Sequence, residues 1–395
     1  MDKSRQNPNP SFLAFFAKKL DTGRLRKQKA YMTEFQSSNR GAIKLKMALD
    51  FCRYSGSADS FRALLPGVKK AVGDKHNVYT PRDIRNARLT LMGADDATKR
   101  PPSLPPIIYV KMSRGGVGKT TISANVAATI ASMGYRALLI DGDAQATLTS
   151  LMGIDWARED IVHLGELLGA NESGTPIDWS TSVRTIYDGM LDLIASDISL
   201  ANVEPWLSSI PNKEGAVARL FEDNLGFFSQ YDVIVIDSAP GTTQLSNALM
   251  YAARRVLAVV KPDGSTLKAM EVLTHNVKEL NRAFRDLKIT VRIVANAYDA
   301  RIGTCKLALD TLREAYQGHI DPNVIPSYAS FVRQVDLFDD ARSGPILERE
   351  PNSPAAKAII DLTRSLIGYY DIQLAGMIPV VPDSPRRRLL AKAAA

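Results

Sequence analysis

The nine residues SRGGVGKTT, Ser113 to Thr121, constrain this chain more than any other stretch. Glycines at 115, 116 and 118 run directly into a lysine and two threonines. IIYV (Ile107 to Val110) precedes them, a short apolar run that reads as a buried strand. After them comes TTISANVAATIASMG, in which Ile122, Val126 and Ile130 recur every fourth residue and Gly134 stands where a helix C-cap belongs. The reading is strand, glycine loop, helix. In that geometry successive backbone N–H groups converge on phosphate oxygens, and the helix N-terminus adds a favourable field. Gly115, Gly116, Val117, Gly118, Lys119, Thr120 and Thr121 are therefore the expected phosphate-binding residues, with Lys119 reaching the outer phosphates and Thr120 offering its hydroxyl to Mg²⁺.

Carboxylates stand at the ends of two further apolar runs. ALLIDGDAQ (Ala137 to Gln145) ends a second buried strand, and DVIVIDSAPG (Asp232 to Gly241) a third. Asp237 fits the carboxylate linked to magnesium, and Asp141 the one that orients an attacking water. Asp143 supports the site or caps a helix. MLDLIAS, RVLAVVKP and ITVRIVANAY are further strands, alternating with helical segments such as Thr266 to Arg285. That alternation predicts an α/β fold, a mostly parallel twisted sheet with helices on both faces and its chemistry at the carboxyl ends of the strands.

The three motifs together resemble the deviant Walker-A ATPases, whose signature is K-G-G-x-G-K-[ST], and the D-x-D-x-Q form resembles the ParA partition ATPases within them. The likeness covers roughly residues 105 to 370. It implies ATP and Mg²⁺ as cofactors, weak intrinsic ATP hydrolysis, a nucleotide-sandwich homodimer, non-specific DNA binding, and a ParB-like centromere-binding partner that stimulates turnover. The family's signature lysine, which reaches across the dimer, is matched here by Arg114, so Arg114 joins Lys119 and Asp141 as an expected catalytic residue. Arginine keeps the charge but has a broader, forked head. The family's D-x-R segment is matched by Asp299, Ala300 and Arg301. Arg333, in IPSYASFVRQVD, matches its second basic position more loosely, and an ion pair or a solvated face explains it equally well.

About a hundred residues precede the glycine loop, and they hold 21 Lys and Arg against 9 Asp and Glu, while the rest of the chain holds 29 against 33. An excess of that kind fits an anionic partner. Larger family members carry an N-terminal helix-turn-helix that binds their own operator. NVYTPRDIRNARLTLM (Asn77 to Met92) resembles the strand-then-helix step of a winged-helix-like domain, with Thr80 as N-cap, Pro81 in the first turn and Ile84, Ala87 and Leu91 on one face. Arg82, Arg85 and Arg88 would then be available to phosphates. ATKRPPSLPP, residues 97 to 106, reads as a proline-rich boundary. The expected organisation is a possible dimerisation segment over 1–35, a DNA-binding domain and linker over 36–104, the ATPase domain over 105–375, and a basic tail over 376–395.

No run of about 18 apolar residues is present to span a bilayer, so a cytoplasmic, nucleoid-associated protein is expected. RRRLLAKAAA at the end is too short and too weakly patterned for the membrane-binding helix of a MinD-like positioning ATPase. Two cysteines, Cys52 and Cys305, cannot hold the cluster of a nitrogenase-reductase relative. A repressor with a vestigial ATPase remains the alternative from a different class.

Overall fold

The computed structural model describes residues 40–68, 77–94, 102–332, 334 and 343–374. The expected N-terminal segment 1–35, the tail 376–395, Arg333 and residues 97–101 of the boundary lie outside them.

Seven strands form the main sheet: β3 (Ile107–Lys111), β4 (Ala137–Gly142), β5 (Arg184–Thr185), β6 (Leu191–Ile194), β7 (Val233–Ser238), β8 (Arg255–Val260) and β9 (Thr290–Ala295). Their spatial order is β5-β6-β4-β7-β3-β8-β9. All pairs are parallel except β5 with β6 at one edge. Every residue of β3, β4 and β7 is buried, which is why these strands read as continuous apolar runs without alternation. β7 lies between β3 and β4, and its register sets Asp141 beside Asp237. The glycine loop and both carboxylate motifs thereby leave adjacent strands at the same carboxyl edge.

Before the sheet come β1 (Ile43–Lys44), α1 (Leu45–Phe51), α2 (Ala58–Ala63), β2 (Val78–Tyr79) and α3 (Pro81–Met92). β1 and β2 pair antiparallel, Ile43 opposite Tyr79. α3 starts as its sequence requires: the Thr80 hydroxyl accepts from the Asp83 N–H at 3.2 Å, and the Asp83 carboxylate accepts from the Thr80 N–H at 2.8 Å. The helix after the glycine loop is α4 (Lys119–Ser132), with Ile122, Val126 and Ile130 all buried.

α3 does not stand apart from the sheet. Its Arg85 is 1% exposed, donating to Asp232 Oδ2 at 2.6 Å and to Gly134 O at 3.1 Å. Gly134 has φ +88°, and a Cβ there would lie 2.7 Å from the Arg85 backbone nitrogen, so only glycine lets α3 approach the end of α4 this closely. Arg88 donates to Met133 O at 2.6 Å and to the Tyr135 hydroxyl at 2.9 Å, and its guanidinium lies over the Tyr135 ring. Arg82 reaches Asp188 O at 2.6 Å. One apolar cluster runs from Ile43, Phe61, Tyr79 and Ile84 into the central strands. The expected separation at residues 97–106 therefore does not produce an independent unit, and Arg85, expected to be available to phosphates, is enclosed against Asp232.

Further helices used below are α5 (Leu164–Glu172), α6 (Ala216–Asp223), α7 (Gln244–Ala253), α8 (Thr266–Ala283), α9 (Gly303–Ala315) and α10 (Pro354–Tyr369). α4 packs along α10, and α6 along α7 and α5. Asn125 of α4 is buried and uses both ends of its amide. Its Nδ2 donates to Thr121 O at 2.7 Å and Gln334 Oε1 at 3.1 Å, and its Oδ1 accepts from the Ile346 N–H at 2.7 Å and Gln334 Nε2 at 3.2 Å. The glycine-loop helix is thus fastened to Gln334 and Ile346.

Candidate nucleotide site

The loop between β3 and α4 bends through two left-handed glycines, Gly116 at φ +71° and Gly118 at φ +90°. Gly118 could be nothing else. A Cβ on it would lie 2.3 Å from Asn296 Nδ2, and that amide donates to Val117 O at 2.8 Å, bracing the loop from the end of β9. Asn296 was invisible to motif reading because its role depends on β9 ending beside the loop. Gly115 and Gly116 face open space. Lys119, at the first position of α4, is 6% exposed and donates to Arg114 O at 3.3 Å. Burial lowers its pKa, opposed by the charges of Asp237 and Asp143.

Asp237 ends β7 wholly buried. Its Oδ1 accepts from the Ser123 hydroxyl at 2.9 Å. Thr120 lies near enough to favour the ionised form, yet Oδ2 has no hydrogen-bond partner. Burial pushes its pKa up to about 6 against the pull of Thr120, Ser123 and Lys119. The Ser113 and Ser238 hydroxyls, in the same two segments, are also buried and unpartnered. Buried polar atoms left open beside a glycine loop fit a site that a polar ligand completes. An anionic oxygen beside a threonine hydroxyl is the donor set that suits Mg²⁺.

Asp141 departs from expectation. Its Oδ2 accepts from the Thr149 N–H at 2.9 Å and the Thr149 hydroxyl at 2.7 Å, and its Oδ1 from the Asp143 N–H at 3.1 Å. It is entirely buried, and desolvation, followed by the neighbouring charge of Asp237, raises its pKa to about 7. Both oxygens are occupied in shaping the turn, an arrangement that anchors the loop. Asp143 is half-buried, accepts the Gln145 N–H at 2.9 Å, and sits within electrostatic reach of Lys119 and Lys111. Gly142 between them has a steric reason: a Cβ would lie 2.7 Å from Asp237 O.

Arg114 stays on its own chain. Its Nη1 donates to Asp263 at 2.7 and 2.8 Å and also bonds the Ser265 hydroxyl. Burial alone would raise the Asp263 pKa; the Arg114 and Ser265 bonds overcome it and hold the carboxyl at about 2. Arg301, on the turn between β9 and α9, is 89% exposed and folded onto Asp299 at 2.7 Å. That pairing pulls Asp299 down to about 2. Ile302 and Leu307 beside it are exposed as well. Among the described residues no group of His, Cys, Asp and Glu is arranged to hold a metal by itself, and no helix is long and apolar enough to cross a membrane.

A family model described as an AAA domain matches residues 106–291. The cell division protein PomZ of Myxococcus xanthus is 28% identical over 72% of this chain and 83% of its own length. The chromosome partitioning protein ParA of the same organism is 27% identical over 72% of this chain and 92% of its own. Among solved structures, an ATP complex of Cyanothece McdA superposes with a TM-score of 0.55 at 20% identity, covering 71% of this chain and 99% of that one. Sheet order, glycine loop and strand-end carboxylates define a P-loop ATPase of the deviant Walker-A class. These likenesses support a ParA-family partition ATPase.

Proposed function

We propose that this protein is a DNA-partition switch driven by ATP. The observation that carries the reading is the open, buried Oδ2 of Asp237 beneath a glycine loop that presents Lys119 and Thr120. In the proposed state ATP lies on the loop, with the backbone of Gly115 to Gly118 and the side chain of Lys119 on its phosphates and Thr121 at the helix start. Thr120 and Asp237 would hold Mg²⁺, which would supply positive charge to the outer phosphates. Asp143 orients water. Arg114 leaves Asp263 and reaches the partner's phosphates in a sandwich homodimer, where its fork would accept two oxygens at once.

The dimer binds DNA without reading sequence, through Arg301 and Arg333, and a ParB-like centromere-binding protein stimulates hydrolysis and releases it. Exposure of Arg301 beside Ile302 and Leu307 supports that surface. Operator binding by the first hundred residues remains part of the proposal on the strength of their charge. The Arg85 face of α3 is not its surface; the solvent side, with Arg82 and Asn86, is the side open to DNA. Cytoplasmic residence on the nucleoid follows from DNA as the partner.

The test is DNA binding across a salt series with ATP, with ADP and without nucleotide, on random DNA and on DNA upstream of the gene. Salt-sensitive binding to random DNA that requires ATP is expected. Binding indifferent to nucleotide would replace this reading with that of a repressor whose ATPase is vestigial.

A further inference from the structure

Lys111 closes β3 where the strand enters the glycine loop, and none of its surface meets solvent. Its ammonium donates to Gly241 O at 2.5 Å and to Ala239 O at 3.3 Å. Gly241 is gripped from its other side too, because its N–H donates to Ser113 O at 2.9 Å. The stretch 111–113 therefore holds both polar groups of Gly241, in the loop that carries the chain from Asp237 to α7. Gly241 has φ +84°, while a Cβ there would meet nothing within 4 Å, so glycine serves the backbone turn and not the packing.

A buried ammonium opposes folding unless its surroundings satisfy it, and apolar residues complete strands without that cost. Ile107, Ile108 and Val110 do so in the same strand. Strand stability gives no reason for a charge at 111. The loop it grips begins two residues after Asp237, and Asp143 and Lys119 lie within electrostatic reach.

We propose that Lys111 is a positioning residue for ATP hydrolysis: its side-chain nitrogen clasps the Ala239–Thr242 loop to the leading edge of the glycine loop and so fixes the backbone that carries Asp237. The proposal rests on the ATPase reading above. Lys111 touches no nucleotide in it and acts through the loop.

Lys111→Met tests the clasp with two readouts. Hydrogen exchange on the nucleotide-free protein should show the Gly241 and Thr242 amides exchanging at least about fivefold faster than in the parent. Steady-state hydrolysis should show kcat lowered about tenfold with the KM for ATP within about threefold. A role confined to folding would move neither the amides of this one loop selectively nor kcat apart from KM. Either readout unchanged overturns the proposal. If Lys111→Met shows no cooperative melt, Lys111→Gln carries the same two measurements. A parent protein without turnover would sink the ATPase reading instead, and exchange would then decide whether Lys111 holds the loop.

Discussion

Arg85 and Asp232 meet at 2.6 Å with side chains 1% and 0% exposed, across 147 residues of chain. Removing one member strands the other charge in the interior, which costs about 3–5 kcal/mol. Arg85→Met should lower stability by that amount, and Arg85→Met with Asp232→Asn should lose clearly less than the two single changes added. Urea denaturation of the three variants measures it. Strict additivity would show that the pair does not fasten α3 to the sheet.

The two aspartates of DGDAQ should part company. Asp143→Ala is expected to keep nucleotide affinity within a few-fold and to lose about 10²-fold or more in hydrolysis. Asp141→Ala leaves the Thr149 and Asp143 donors without an acceptor, and each such loss costs about 1–3 kcal/mol, so its first symptom should be a lower melting temperature. A stable Asp141→Ala protein that binds ATP but cannot hydrolyse it would reverse the assignment.

Asp263→Ala removes the carboxylate that holds Arg114 on its own chain and leaves its bond to the Ser265 hydroxyl. ATP-dependent dimerisation, followed by light scattering, should then occur at lower protein concentration than in the parent, and Arg114→Ala should abolish it. Normal dimerisation of Arg114→Ala would remove this arginine from the interface.

Arg301 packs against little besides Asp299, so Arg301→Ala should leave the melting temperature where it is. Binding to random DNA with ATP should weaken, and the slope of log affinity against log salt should become shallower by about one contact per subunit. An unchanged salt slope would place the DNA elsewhere.

Lys111 makes stability depend on pH. Burial, followed by the charge of Lys119, lowers its pKa from 10.5 to about 7. Below pH 7 the lysine is charged in both states and its burial penalty is complete; between pH 7 and 10.5 the unfolded chain holds a proton that the folded chain has released, so this contribution to stability rises with pH. Lys111→Met should accordingly exceed the parent in stability most at about pH 6 and lose that lead toward about pH 10. A lead that stayed constant across the range would mean that the lysine does not titrate in the fold.

The glycine loop, the parallel sheet and the Asp237 carboxylate were legible in the sequence because each depends on neighbours in the chain. Glycine before Lys119, aliphatic runs ending in aspartate and the four-residue repeat of Ile122, Val126 and Ile130 are all local patterns. Arg85 was misread because its direction is decided at a distance. Ile84 beside it marks the apolar face of α3, but only the carbonyl of Gly134 and the carboxylate of Asp232 turn the arginine inward. The two aspartates of DGDAQ look equivalent in sequence. β4 ends at Gly142, so Asp143 leaves the pleat that holds Asp141, and no spacing rule reveals where a strand stops. Lys111 belongs to no motif, and Arg114 was read only through its match to the signature lysine. Their partners, Gly241 and Asp263, lie 130 and 149 residues further on.

The amide of Asn125 has no unused capacity: its contacts at 2.7 to 3.2 Å join the floor of the phosphate helix to Gln334 and Ile346. Hydrogen bonds of that length fail when stretched by more than about half an ångström. Any tilt of α4 larger than that on nucleotide capture must therefore carry Gln334 and Ile346 with it or let go of them altogether. The linkage behaves as a mechanical fuse, transmitting small motions faithfully and breaking under large ones.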